Sequence, residues 1–135
     1  MNSTLTIGLS GLQAATTRLS VSADNVVNAG SRAVEPVQRS EPGRTVNRDA
    51  GFQAMRVYQE ALTQGGVLAR PVPVRPAAVA GYSLAPAEAG VALRPNVSLE
   101  QEAVEQISAR LAYEASARVI ETADEMADTL LDILA

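Results

Sequence analysis

The sequence predicts a mainly α protein: N- and C-terminal helices pairing as a coiled coil, with an irregular or small β middle segment. Three observations carry this. Apolar residues recur at helical spacing at both ends of the chain. All seven prolines fall between positions 36 and 95. The stretch RPNVSLEQEAVEQISARLAYEASARVIETADEMADTLLDIL, from Arg94 to Leu134, is acidic yet carries a regular apolar stripe. The expected organisation is a helix over 1–30, an extended Pro- and Arg-bearing middle over 31–95, and a second helix over 96–135.

For the first element, Leu5, Leu9, Leu12, Thr16, Leu19, Ala23 and Val26 follow a 4-3-4-3-4-3 spacing, a heptad seam. Ser3 is placed to cap the start, and Asn28-Ala29-Gly30 to stop it. Gly8 and Gly11 each cost about 1 kcal/mol relative to Ala, and the many Ser and Thr add smaller costs. This helix is expected to form only when something covers it.

In the middle, Phe52–Tyr58 and Val67–Val74 read as strands. Pro71 and Pro73 restrict the second to an edge or to polyproline form. Phe52–Gln64 reads equally well as a short helix.

The second helix begins at Ser98, which with Gln101 fits a capping box, S-x-x-Q. Glu100 and Glu102 suit the positive end of the helix dipole. Val104, Ile107, Leu111, Ala115, Val119, Ala123, Met126, Leu130 and Ile133 follow a step of about 3.6 residues, the straight-helix period. No cation follows in the last turn, where Asp128 and Asp132 oppose the dipole.

Composition narrows the function. Of 135 residues, 47% are hydrophobic but only 3% aromatic, so large core anchors are scarce. There is no Cys and no His, which removes thiolate metal sites and the usual general base. All 11 positive charges are Arg. Residues 1–70 carry seven Arg and five acids, whereas 71–135 carry four Arg and ten acids. An acidic balance argues against nucleic acid as a partner. No apolar run approaches the roughly 18 residues of a membrane span. The N-terminus lacks the charged and apolar regions of a cleaved secretory signal. For catalysis, GLSG at Gly8–Gly11 misses the nucleophile-elbow pattern, and Gly65-Gly66 lacks the lysine of a phosphate loop. The expectation is a non-enzyme with no cofactor and no metal.

Two motifs carry a family likeness. LSVSADNVVNAGS (Leu19–Ser31) resembles the N-terminal signature of bacterial flagellar axial proteins, with Asn25 and Asn28 at its Asn-x-x-Asn. RPNVSLEQEAVEQISARLAYEASARVIETADEM (Arg94–Met126) resembles their C-terminal signature, matched at Asn96, Val97, Tyr113, Ala115, Thr122 and Met126. GGVLARPVPVRP and GYSLAP look like a worn version of the family's middle. The short length and the Pro-Asn-Val-x-Leu lead-in resemble most the basal-body rod branch. Gly30–Ala33 is shorter than the family's loop and lacks its Tyr, and Arg44–Gln64 has no counterpart, which predicts that deleting 44–64 is tolerated better than deleting three residues of either helix.

The resemblance implies a structural subunit of the proximal rod. It would leave the cell through the flagellar type III export apparatus without a cleaved signal peptide. It would then assemble with other copies of itself and with other rod proteins in the periplasmic basal body, its terminal helices forming an axial tube that transmits torque. The expected assembly interface comprises Leu5, Leu9, Leu12, Leu19, Val26, Asn25 and Asn28 on the first helix. On the second it comprises Val104, Ile107, Leu111, Tyr113, Val119, Met126, Leu130 and Ile133. Asn25 and Asn28 read as a hydrogen-bonding node between helices or as ordinary helix-end residues. Tyr113 reads as an interface anchor or as packing against the first helix. The acidic face containing Asp124 and Asp128 is expected either to stay solvated or to pair with arginines of a neighbour, among them Arg32, Arg39, Arg44, Arg48 and Arg56. The same stripes would also serve a soluble helical adaptor or export chaperone.

Overall fold

A computed structural model describes residues 2–34, 51–83 and 90–134. The described elements, in chain order, are α1 (Asn2–Asn28), β1 (Met55–Ala61), β2 (Val67–Pro73), β3 (Ala78–Ser83), β4 (Gly90–Pro95) and α2 (Leu99–Leu134). Both helices lie where the apolar periodicity places them. The described part of the middle forms two antiparallel strand pairs, the β1–β2 and β3–β4 hairpins. Among the described residues, no helix is long and apolar enough to cross a membrane.

The helices pack antiparallel. Gly8 of α1 faces Ile120 of α2, Gly11 faces Ser116, Arg18 meets Glu105, and Ser22 meets Glu102. The buried line of α1 is therefore Gly8, Gly11, Ala15, Arg18, Ser22 and Asn25, a 3-4-3-4-3 spacing. Opposite it lie Glu102, Glu105, Ala109, Ser116, Ile120 and Ala123 on α2. This corrects the expected seam. The larger residues of the predicted heptad do not lie between the helices: Leu5, Leu9, Leu19 and Val26 are all exposed, and Thr16 and Ala23 with them. The 3-4 period itself is compatible with coiled-coil pairing, but on a neighbouring face made of small and polar residues.

The two helical glycines reverse their meaning. A Cβ built on Gly8 would stand 2.6 Å from Ile120 Cγ1, and one on Gly11 would collide with the Ser116 hydroxyl. The helix gives up propensity at these two positions so that the backbones can come close.

Phe52–Gln64 is not a helix. Its strand alternative is the one adopted, because β1 has a partner that a short helix would lack. Met55 stands opposite Pro73, Val57 opposite Pro71 and Ala61 opposite Val67. At the two ends, Leu62 N–H donates to Gly66 C=O at 3.0 Å and Val74 N–H to Ala54 C=O at 2.9 Å. The even-numbered residues therefore face across the hairpin, and the odd-numbered backbone groups face its outer edges. Pro71 and Pro73 are both odd, so their missing N–H groups fall on the outer edge of β2, where no ladder bond is lost. The turn uses Gly65 (φ +89°) and Gly66 (φ +92°), and both glycines sit against Ile7 and Ser10 of α1.

The β3–β4 hairpin was not anticipated in the sequence. Its strands pair from Ala78 opposite Pro95 to Ser83 opposite Gly90. Residues 32–34 stitch the two hairpins together. Phe52 N–H donates to Arg32 C=O at 2.7 Å, and Ala33 N–H donates to Leu93 C=O at 3.3 Å. Ala33 and Ala54 are fully enclosed there. Strand β4 then runs straight into α2. Asn96 fixes that junction: its backbone N–H reaches Ala77 C=O at 3.3 Å and its Nδ2 reaches Pro76 C=O at 3.1 Å.

Ser98 caps α2, its Oγ accepting from Gln101 N–H at 3.4 Å. The reciprocal half of the expected box is absent. Gln101 Oε1 instead accepts from Arg56 Nη2 at 3.4 Å. The Glu100 carboxyl is held below its usual range by its own backbone N–H and by Ser98. Its contribution to the cap is therefore complete above the unfolded carboxylate range and is lost as pH falls through that lowered value.

Gly8→Ala with Gly11→Ala should test the close approach. Helix propensity alone would stabilise the double variant by about 2 kcal/mol. Overpacking typically costs about 1–3 kcal/mol at a single site, and here two sites are crowded. A net loss of roughly 1–3 kcal/mol in urea unfolding is expected. A more stable variant would show that the helices stand further apart.

Candidate functional site

Asn25 sits where three elements meet, and it is only 2% exposed. Its amide pairs with the outer edge of β1 as another strand would. Met55 N–H donates to Asn25 Oδ1 at 3.0 Å, and Asn25 Nδ2 donates to Met55 C=O at 2.7 Å. The second hydrogen on Nδ2 goes to Glu102 Oε1 of α2, at 2.8 Å. One turn earlier, Ser22 Oγ donates to the Glu102 carbonyl at 3.2 Å.

Arg18 extends this polar layer. Its Nε and Nη2 both donate to the Glu105 carboxylate, Nη2 at 3.0 Å, and Nη2 also reaches Ser108 Oγ at 2.9 Å. The Arg18 side chain is only 14% exposed, and its hydrogen bond to Glu105 holds the guanidinium even more firmly protonated than usual. These groups line a cleft of about 390 Å³ beside β1. No described buried side-chain N or O atom lacks a hydrogen-bond partner.

The sequence-nominated residues divide sharply. Of the two readings of Asn25, the hydrogen-bonding node between helices is the one adopted: its Nδ2 donates to Glu102 of α2, and the residue is enclosed within its own chain, where its amide also satisfies the Met55 backbone groups. Asn28 ends α1, where Nδ2 donates to Asp24 C=O at 3.0 Å and Oδ1 accepts from Ser31 Oγ at 3.2 Å. Leu12 is half-buried. The remaining α1 nominees, Leu5, Leu9, Leu19 and Val26, lie open on the outside, as do Val104, Ile107, Leu111, Tyr113, Val119, Met126, Leu130 and Ile133 on α2. Tyr113, at 48% exposure, is an outward residue. Asp124, Asp128 and Arg32 are exposed. Arg39, Arg44 and Arg48 lie outside the described residues. Arg56 is engaged with Gln101.

The sequence reading missed Arg18 and the two carboxylates that meet it and Asn25. A signal was available: Arg18 is the only cation before Arg32 and falls on the line of Gly11, Ala15, Ser22 and Asn25.

Among the described residues, the polar groups lining this cleft are largely engaged with one another. The two helices are joined largely through small and polar side chains, and most of their large apolar ones are turned outward. Residues 89–133 match the family model described as flagellar basal body rod FlgEFG protein C-terminal. The match covers β4 and nearly all of α2, about a third of the chain. No curated protein matches the chain.

Asn25→Ala should be costly. It strands the Met55 N–H and C=O away from any partner, at about 1–3 kcal/mol for each unsatisfied group. A loss on the order of 2–4 kcal/mol in chemical unfolding is expected. Amide exchange at Met55 should accelerate with it. A loss below roughly 0.5 kcal/mol, the range of an ordinary surface change, would mean that water replaces the amide.

Proposed function

We propose that this chain is a structural subunit of the flagellar basal-body rod, closest to FlgC, and that it assembles through the outward apolar faces of α1 and α2. The observation that carries the reading is the placement of large side chains. Ile107 is 63% exposed, Leu111 60% and Met126 61%, while the helix–helix contact is made mostly by Gly, Ala, Ser and a few polar side chains. Leaving such residues in water forfeits about 1.5–3 kcal/mol apiece that a neighbouring subunit would supply. The family match falls on the same helix. In this reading the neighbours are further copies and other rod proteins, the site is the basal body in the periplasm, and the route is the flagellar export apparatus.

Repetition of α2 also concentrates charge. Residues 98–135 carry nine acids and two Arg. Like charges a few ångströms apart repel by about 1 kcal/mol in water and by more when partly desolvated. Asp124 and Asp128 are therefore assigned to arginines of an adjacent subunit, with Arg32, Arg39 and Arg44 the candidates.

The test is incorporation into basal bodies isolated from cells that lack the native chain. Leu111→Asp changes an exposed residue, so circular dichroism of the purified protein should be unchanged while incorporation fails. Asp124→Arg with Asp128→Arg should also impair it, and Arg32→Glu should restore part of it. A Leu111→Asp protein that enters the rod normally would remove this face from the interface. A wild-type chain that stays a closed soluble oligomer bound to one client would favour the adaptor reading.

The Arg44–Gln64 stretch, expected to tolerate deletion, contains all of β1 and the Met55 groups that Asn25 holds. Loss of residues 55–64 should now be as damaging to incorporation as a three-residue deletion in either helix.

A further inference from the structure

The close contact between α1 and α2 has a weakness: no side chain along it sterically forbids a shift by one heptad. Shift α2 by one heptad, and Gly8 meets Ala127 instead of Ile120, while Gly11 meets Ala123 instead of Ser116. Gly11 would exchange one small side chain for another and Gly8 would exchange Ile120 for a smaller one, so neither glycine meets a clash that forbids the slipped pairing. The polar layer does not accept it. Arg18 would face Ala112 in place of Glu105, leaving a guanidinium that is 14% exposed without its carboxylate. Ser22 and Asn25 would lose Glu102, the residue that accepts from both. The opposite shift carries Asn25 past the start of α2 at Leu99.

We propose that Arg18–Glu105, with Asn25 and Ser22 on Glu102, is a register lock: it selects one alignment of the two helices and so decides which apolar side chains stand level on the outer face. The lock acts within a single chain, and the inference holds whatever the outer face binds. A buried polar contact fixing helix register is the best-attested use of such groups, and it is separable from stability. A pair that only stabilised would leave the alignment unchanged when replaced by apolar residues. A lock would not.

That separation gives the experiment. The chain contains no Cys, so nitroxide labels attach only where cysteines are introduced. Ser20 and Glu121 are exposed and offset along the helix axes. Ser20→Cys with Glu121→Cys in the full chain should give one narrow distance by pulsed electron resonance. Arg18→Leu with Glu105→Leu removes the charges and keeps apolar bulk. Its urea midpoint should hold or rise, while a second distance appears, displaced by roughly 10 Å, the length of seven helical residues. The same single distance in this variant would overturn the proposal. Should this variant fail to fold, two reversals decide. Glu105→Arg alone sets two cations together and should give two distances, and Arg18→Glu with Glu105→Arg should restore one. A single unchanged distance in both, or two distances in the swap, would show that the pair does not set the register.

Discussion

The side-chain amide of Asn25 is the contact on which the rest of this structure depends. An amide carries one strong acceptor and two donors, and here all three are used at a point that water does not reach. Two of the bonds satisfy a strand edge, and the third reaches the opposite helix. Few other side chains could do this. Aspartate has no donors and would oppose Glu102. Glutamine is one carbon too long for the same span, and leucine would leave the Met55 groups stranded. The helix pair and the first hairpin are thus joined through a few side-chain hydrogen bonds, with Asn25 the one that reaches both partners. With aromatics so scarce, no conventional core was available.

This economy explains the division of labour along the helices. Each has a narrow face of Gly, Ala and Ser for close approach, a polar layer that orients the pair, and a broad face of Leu, Ile, Val and Met left open. Small residues bury little area, so close packing and hydrogen bonding carry the intrachain contact. The larger hydrophobic driving force is held in reserve on the outside. A chain with its leucines inside would be more stable alone and would have less to offer a neighbour.

The same division marks what was legible in the sequence. Helix positions follow from apolar periodicity, which does not depend on what the stripe faces. The hairpin edge was legible from Pro71 and Pro73, since proline cannot donate to a ladder. The inner face was not, because the habit of assigning large apolar residues to the interior fails for a subunit that hides its small ones. The role of Asn25 as a node between helices was legible, but its second partner, the edge of β1, was not, because nothing in the sequence near Met55 marks which backbone groups face outward. The β3–β4 hairpin was hidden by Gly, Ala and Pro, whose preferences do not announce strands.

The first hairpin is fastened to α1 at two separated places. At its turn, Val67 N–H donates to Ser10 Oγ at 3.1 Å, and at its open end Met55 pairs with Asn25. The fifteen residues from Ser10 to Asn25 span about 22 Å of helix. Over that length the ribbon lies along the rod of the helix as a splint does along a bone. A helix alone bends by stretching the hydrogen bonds on one side. One clamped at both ends of a ribbon must also shear a ladder whose bonds run crosswise to it. Flexural stiffness in this molecule is therefore uneven along its length, highest between residues 10 and 25 of α1 and lower on either side.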